Sequence, residues 1–209
     1  MVSQLGFWSA FVVTVVSITF PVGLLINNLN TTFVSSIILA PAFVTMIVSI
    51  HRYAASEKKV WSQLGLSLAT IYAVMSPVSY YIQLTVIQNN HLQISDDALL
   101  PFVFIPGTPL FAQDMFGYVF FCAATLAAGP VFTGGKLERS IKWMFILNGI
   151  LFFVPPLNMP ALDMPTDPTG TGIGNQVGKY ANLVWSTYIA VAAALVAVLF
   201  KRLGNSLNL

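Results

Sequence analysis

Charge is what this chain has least of. Only 8% of its 209 residues are Asp, Glu, Lys or Arg, against about 25% in a soluble domain. That supply cannot cover a water-facing surface, which excludes an ordinary soluble globular protein. Hydrophobic residues make up 56% of the chain and the mean hydropathy is +0.79, as expected of a polytopic membrane protein. The net charge of +2 is too small to mark a nucleic-acid binder, and no nucleic-acid partner is expected. Cysteine is almost missing. The single Cys122 excludes an internal disulfide and any cysteine-based metal cluster. In the middle of an apolar run it reads as a small buried hydrophobe. A basic n-region is missing from residues 1–26, and their apolar run is longer than a signal h-region, so this run is expected to be a span kept in the mature protein. No internal repeat stands out, so the pattern of an inverted-repeat transporter is unsupported.

What the chain does have is long apolar runs, and about 20 such residues cross a bilayer as a helix. Spans are predicted at about Leu5–Ile26, Phe33–Ile50, Val60–Val86, Pro109–Phe132, Ser140–Val154 and Lys179–Phe200. The expected fold is all-α: one polytopic bundle of about six transmembrane helices covering residues 1–209. Trp8 reads as an interface anchor. Pro77 falls inside the third span, where neighbouring helices can satisfy the freed carbonyl. Pro155-Pro156 is expected to end the fifth. Asn30-Thr31-Thr32 is a formal glycosylation sequon in a short turn close to the membrane. Two connections are long. The one over 87–107 starts polar, with His91, Asp96 and Asp97, then becomes Leu99–Pro106, which is apolar but too short to span. It should lie in the interface or re-enter the protein. The other, over 157–178, holds Asp163 and Asp167 in turn-forming sequence.

Basic residues orient the bundle. Arg52, Lys58 and Lys59 share one connection, Lys136, Arg139 and Lys142 another, and Lys201 and Arg202 follow the last span. Of nine basic residues, all but Lys179 then fall on one side. The positive-inside rule puts that side, and both termini, in the cytoplasm. The two long loops face outward. An integral position in the plasma (inner) membrane is the matching localisation.

The stretch Thr108–Pro130 carries the most informative residue. Thr108 suits a helix cap and Pro109 the first helical position. Asp114 then falls about 7–8 Å below the start of the helix at 1.5 Å per residue. An ionisable group within a span is a functional candidate by default. Asn27, Gln83, Gln113 and Asn182 are expected at similar depth, as are Tyr80, Tyr81, Tyr118, Trp185 and Tyr188, with Asn148 deeper. In lipid such groups turn toward the bundle and find one another. An outward-opening polar pocket results, with Gln83, Asp114, Asn182, Tyr81, Tyr118 and Trp185 as candidate ligand-binding residues and Asp114 as the candidate catalytic one. Each has a structural alternative: Asp114 as a carboxylate bonded to Gln83, a tyrosine or a helix end, Gln83 and Asn182 as helix–helix contacts, the aromatics as an interfacial belt. No cofactor and no metal are expected. His91 with Asp96 and Asp97 is too sparse a set for a metal site, and Gly170, Gly172 and Gly174 lack the strand that a phosphate-binding loop follows. Glu138 and Lys142 have the spacing of a helical ion pair.

The runs Tyr80–Val86, Asp114-Met-Phe-Gly-Tyr118 and Gly135–Trp143 resemble a group of small, uncharacterised microbial multi-pass membrane proteins. The resemblance covers roughly the middle third of the chain. It implies the spans and draws attention to Gln83 and Asp114, but it implies no activity.

Four functions fit these residues. The first is a membrane protein binding a small or lipid-like ligand in the outward pocket, with the long loops as lids. The second is a small membrane enzyme acting on a lipid or isoprenoid-like substrate, with Asp114 as general acid and aromatics stabilising positive charge. The others are an accessory subunit of a membrane complex and a small transporter. The expected partners are the lipid bilayer, a lipid or hydrophobic small molecule, and another membrane protein or a second copy. The topology has a direct test. In a Cys122→Ala background, a cysteine at Lys58 should react with an impermeant maleimide only after cells are opened, and one at Asp97 should react in intact cells. The reverse pattern would invert the bundle.

Overall fold

The computed structural model describes residues 1–88, 95–158 and 173–206, with side chains undescribed at Asp96, 151–158 and 173–177. His91, Asp163, Asp167, Gly170 and Gly172 lie outside the described residues. Those described are 90% helical and include no strand. The elements are α1 (Val2–Leu25), α2 (Leu29–Tyr53), α3 (Lys59–Ile82), the short α4 (Asp96–Leu99), α5 (Pro109–Ala128), α6 (Lys136–Asn158) and α7 (Ile173–Ser206). Five helical stretches are long and apolar enough to cross a membrane: Val2–Leu25, Leu29–Tyr53, Ser56–Ile87, Pro109–Val131 and Gly178–Ser206. The expected spans match α1, α2, α3, α5 and α7 to within a few residues to a turn or two at each end. The sixth, α6, is 23 residues long but is not among these five.

Local chemistry sets the helix ends. Asn27 takes φ 53° in the α1–α2 turn, a left-handed conformation that asparagine tolerates. Asn28 Oδ1 then accepts from the Thr31 N–H at 3.0 Å and caps α2. Thr108 Oγ1 accepts from the Phe111 N–H at 3.3 Å, with Pro109 at the first helical position of α5, as the sequence predicts. Glu138 does not pair forward with Lys142. Its carboxylate turns back and accepts from the Thr133 and Gly134 N–H groups of the preceding turn, at 3.2 and 3.0 Å. Pro155-Pro156 does not end α6, which runs on to Asn158. A proline removes a hydrogen bond to the turn before it, but its own φ suits a helix.

The long helices form a closed ring. α1 packs on α2 and α7, α2 on α3, α3 on α5, α5 on α6, and α6 on α7. Aromatic rings fill the interior: Phe43 stacks on Phe121 at 4.0 Å, and Tyr72 meets Phe121 edge-on at 5.0 Å. At one end Tyr53 lies against Phe132 and Phe200, at 6.3 and 6.1 Å. Ser3 adjoins Gly204 at that same end, so the start of α1 and the end of α7 lie together. The connections bearing Arg52, Lys58, Lys59, Lys136 and Arg139 fall there too. The α1–α2 turn, the end of α3 and the starts of α5 and α7 make the opposite end.

Small residues let α5 sit tightly between its neighbours. A Cβ on Gly65 would lie 3.0 Å from the Ala124 carbonyl oxygen, and one on Gly117 would lie 3.2 Å from the Ser76 backbone nitrogen. On the α6 side, a Cβ on Gly149 would lie 3.1 Å from the Cys122 carbonyl oxygen. Hydroxyls inside the helices mostly donate to the carbonyl four residues earlier, as Thr14 does to Ala10 and Ser49 to Thr45. Polar side chains are thus hidden within their own helix.

Gly117→Val should force α5 away from α3. Overpacking of this kind costs about 1–3 kcal/mol. The expected result is a clear fall in thermal midpoint in detergent, with Gly135→Ala unchanged because nothing lies within 4 Å of a Cβ there. Equal midpoints for the two variants would remove the close α3–α5 approach.

Candidate functional site

At the end opposite the basic cluster the ring encloses a cavity of about 540 Å³. Its walls come from α1 (Phe20, Leu24), α2 (Leu29, Thr32, Phe33), the end of α3 (Tyr80, Gln83), the segment Val103–Pro106, α5 (Phe111, Asp114, Met115, Tyr118, Cys122) and α7 (Gly178, Ala181, Asn182, Trp185). The lining is mostly apolar. Its deep part is buried, at Asp114, Tyr118 and Cys122, and its outer edge is exposed, at Leu29, Gln88, Ile105 and Pro106. The cavity therefore opens at the end of the bundle.

Asp114 is fully buried. Tyr80 Oη donates to Asp114 Oδ2 at 2.9 Å. The hydroxyls of Tyr80 and Tyr118 are 3.2 Å apart. A phenol has one proton; that of Tyr80 goes to Asp114, so Tyr118 donates to Tyr80. Ser76 Oγ bonds the Asp114 carbonyl oxygen at 3.4 Å. The other carboxylate oxygen, Oδ1, is buried and has no hydrogen-bond partner among the described residues. Among the described residues no Lys, Arg or His lines the cavity, so the described lining holds no countercharge for this group. Helical spacing builds the site. Asp114 and Tyr118 are one turn apart on α5, and Ser76, Tyr80 and Gln83 follow one face of α3.

The other candidates separate. Gln83 lines the cavity but uses both ends of its amide on the backbone of the incoming segment. Its Nε2 donates to the Phe102 carbonyl oxygen at 2.5 Å, and its Oε1 accepts from the Phe104 N–H at 3.3 Å. It fastens the segment before α5 over the cavity. This gives the expected re-entrant stretch a definite position, with Phe104 against Phe33 and Tyr80. Gln83 also begins a π-helical turn, Gln83–Ile87, closed by Gln88 N–H to the Gln83 carbonyl oxygen at 3.0 Å. Such wide turns recur at functional sites. Asn182 reaches the cavity and donates to the Gly178 carbonyl oxygen at 2.9 Å. Trp185 forms part of the floor, its ring edge-on to Tyr118 at 5.0 Å.

Tyr81 lies apart from the others. It is 62% exposed on the outer face of α3 and does not line the cavity. Neighbouring residues on a helix point about 100° apart, and Tyr80 is the one turned inward. Gln113 also points away, donating to the Met75 carbonyl oxygen at 3.2 Å. Asn27 serves the α1–α2 turn. Beneath the cavity a second polar chain ties three helices. Trp185 Nε1 donates to Asn148 Oδ1 at 3.0 Å, Asn148 Nδ2 to Thr125 Oγ1 at 2.8 Å, and Thr125 Oγ1 to the Cys122 carbonyl oxygen at 2.8 Å. Sequence reasoning underrated Tyr80, Phe33 and Phe104. The spacing of Ser76, Tyr80 and Gln83 on one helical face was the available signal for the first. No local signal foretold the other two.

No protein-family model, curated protein or solved structure matches the chain. The site is therefore read on its own chemistry.

Asn148→Leu removes the centre of the lower chain and leaves the Trp185 indole N–H unpartnered in the interior, while Thr125 keeps its bond to the Cys122 carbonyl oxygen. A loss of about 0.6–1.7 kcal/mol, the range of interhelical hydrogen bonds in membranes, is expected in reversible unfolding. Trp185→Phe in the Asn148→Leu background should add less than it does alone. Full additivity would show that the two residues do not interact.

Proposed function

We propose that the chain is a multi-pass integral membrane protein of the plasma (inner) membrane, with six spans and both termini cytoplasmic. On this reading the outward cavity takes a single-chain, lipid-like ligand. The observation that carries it is the pairing of a mostly apolar cavity with one buried carboxylate oxygen that has no partner. Buried polar groups are nearly always hydrogen-bonded. A binding cavity with apolar walls and a few polar groups is the usual form of a small-molecule site. Here the apolar walls accept a chain and Asp114 receives its polar end. Gln83 holds the roof, which is a positioning role, while Trp185 and Tyr118 form the floor. The enzyme reading, with Asp114 as general acid, needs a second group to complete proton transfer. The groups beside Asp114 are the phenols of Tyr80 and Tyr118, whose arrangement suits holding a ligand better than cycling protons.

Trp185 supplies the test. Trp8, Trp61 and Trp143 are exposed, at 60%, 47% and 54%, and can be replaced by Phe to leave one reporter. In phosphatidylcholine nanodiscs, dodecanol should shift Trp185 emission saturably. Gly178→Phe should abolish the shift, because Gly178 lines the cavity with nothing within 4 Å of a Cβ. A shift that never saturates and is the same in Gly178→Phe would mean partitioning into lipid, and the binding reading would fail.

A further inference from the structure

The unpartnered oxygen also limits which ligand the cavity takes. We propose that the site selects an alkyl ammonium, an apolar chain ending in a protonated primary amine, with the N–H donated to Asp114 Oδ1. This rests on the binding reading above and adds the chemical class.

Three observations converge on it. First, with Asp114 ionised, the vacancy is an acceptor. Asp114 Oδ2 already takes the Tyr80 proton, Tyr118 is committed to Tyr80 by the single-proton argument, and Oδ1 alone has no donor. A ligand carbonyl or ether brings no donor and would meet this oxygen with a lone pair. Second, the carboxylate stands without a cation in a cavity whose described lining includes no Lys, Arg or His. Burying an unpaired charge is costly and pairing it relieves the cost. An alcohol supplies only a donor, whereas an ammonium supplies a donor and the missing charge. Third, the walls around the carboxylate are aromatic. Phe33, Tyr80, Phe104, Tyr118 and Trp185 all line the cavity, and aromatic rings attract cations through their quadrupole. Basic side chains that would repel such a ligand sit at the other end of the bundle, apart from Lys179, which adjoins Gly178 in sequence but is not part of the lining.

The exposure of the lining agrees with a chain entering head first. The cavity runs from an exposed rim at Leu29, Ile105 and Pro106 to a buried end at Asp114, Tyr118 and Cys122. A charged head can enter only if the charge is met at the bottom, and Asp114 is the group that meets it.

The test compares dodecylamine with dodecanol on the Trp185-only protein in phosphatidylcholine nanodiscs, with partitioning measured in protein-free discs. Dodecylamine should saturate the signal at about tenfold lower concentration than dodecanol. Asp114→Asn should remove that preference, bringing the ratio of the two midpoints to about one. Asp114→Glu, which keeps the carboxylate, should retain a preference for the amine and so guards against a merely misfolded Asn variant. Equal midpoints for the two probes on the unmodified site, or a preference that survives Asp114→Asn, overturns the ammonium class while leaving a lipid-like site in place. Saturation by neither probe overturns the binding reading, and this proposal with it.

Discussion

The hydrogen bond from Tyr80 to Asp114 is the contact on which the upper half of the molecule depends. It joins α3 to α5 where a carboxylate would otherwise be alone in the interior. It forms because the two helices come close enough, and they do so because Gly65 and Gly117 present no side chain between them. Backbone proximity and side-chain pairing are thus one arrangement. Once α5 is seated, Tyr118 completes the polar group and Trp185 packs on Tyr118. The incoming segment reaches back to Gln83. The cavity is the space these contacts leave.

The polar residues divide into two populations with different physics. Serine and threonine hydroxyls mostly bond a carbonyl one turn earlier in their own helix, as at Ser35, Thr45 and Thr187. They need no neighbour and make no statement about the site. Asp114, Asn148 and Trp185 have no such local option and bond across helices. In a low-dielectric interior these shared bonds fix which helix faces meet, because rotating one helix would strand both partners. Aromatic layers fill the remaining volume, from Phe33 and Phe104 at the cavity to Tyr53 and Phe200 at the basic end.

How far this was legible from the sequence follows from the range of each interaction. The all-helical fold, the helix starts at Asn28 and Thr108, and the membrane-like helices follow from hydropathy and short-range capping chemistry. Asp114 stood out because a carboxylate in an apolar run is conspicuous without any partner. The choice between Tyr80 and Tyr81 was harder, since it depends on the rotation of α3 and not on its depth. Gln83 was found, but its commitment to Phe102 and Phe104 needed the path of a loop that hydropathy does not encode. Glu138 was assigned to Lys142 by spacing, yet the N–H groups of Thr133 and Gly134 in the turn before α6 captured it. Proline signalled a stop at Pro155 that a helix one turn from its end does not require.

The direction of the shared hydrogen bonds has a consequence for how the protein is made. Chains emerge N-terminus first and fold as they appear. Gln113 and Asp114 bond Met75 and Tyr80 in a helix already synthesised. Asn148 bonds Thr125, Trp185 bonds Asn148, and Tyr188 bonds the Met144 carbonyl, each again earlier in the chain. The helices that come first, α1 and α2, carry hydroxyls that mostly bond within their own helix, as at Thr14 and Ser35. Each of these newcomers arrives to find its receptor waiting, with Gln83 the exception that waits for Phe102 and Phe104, so the order of translation can serve as the order of assembly for α5, α6 and α7.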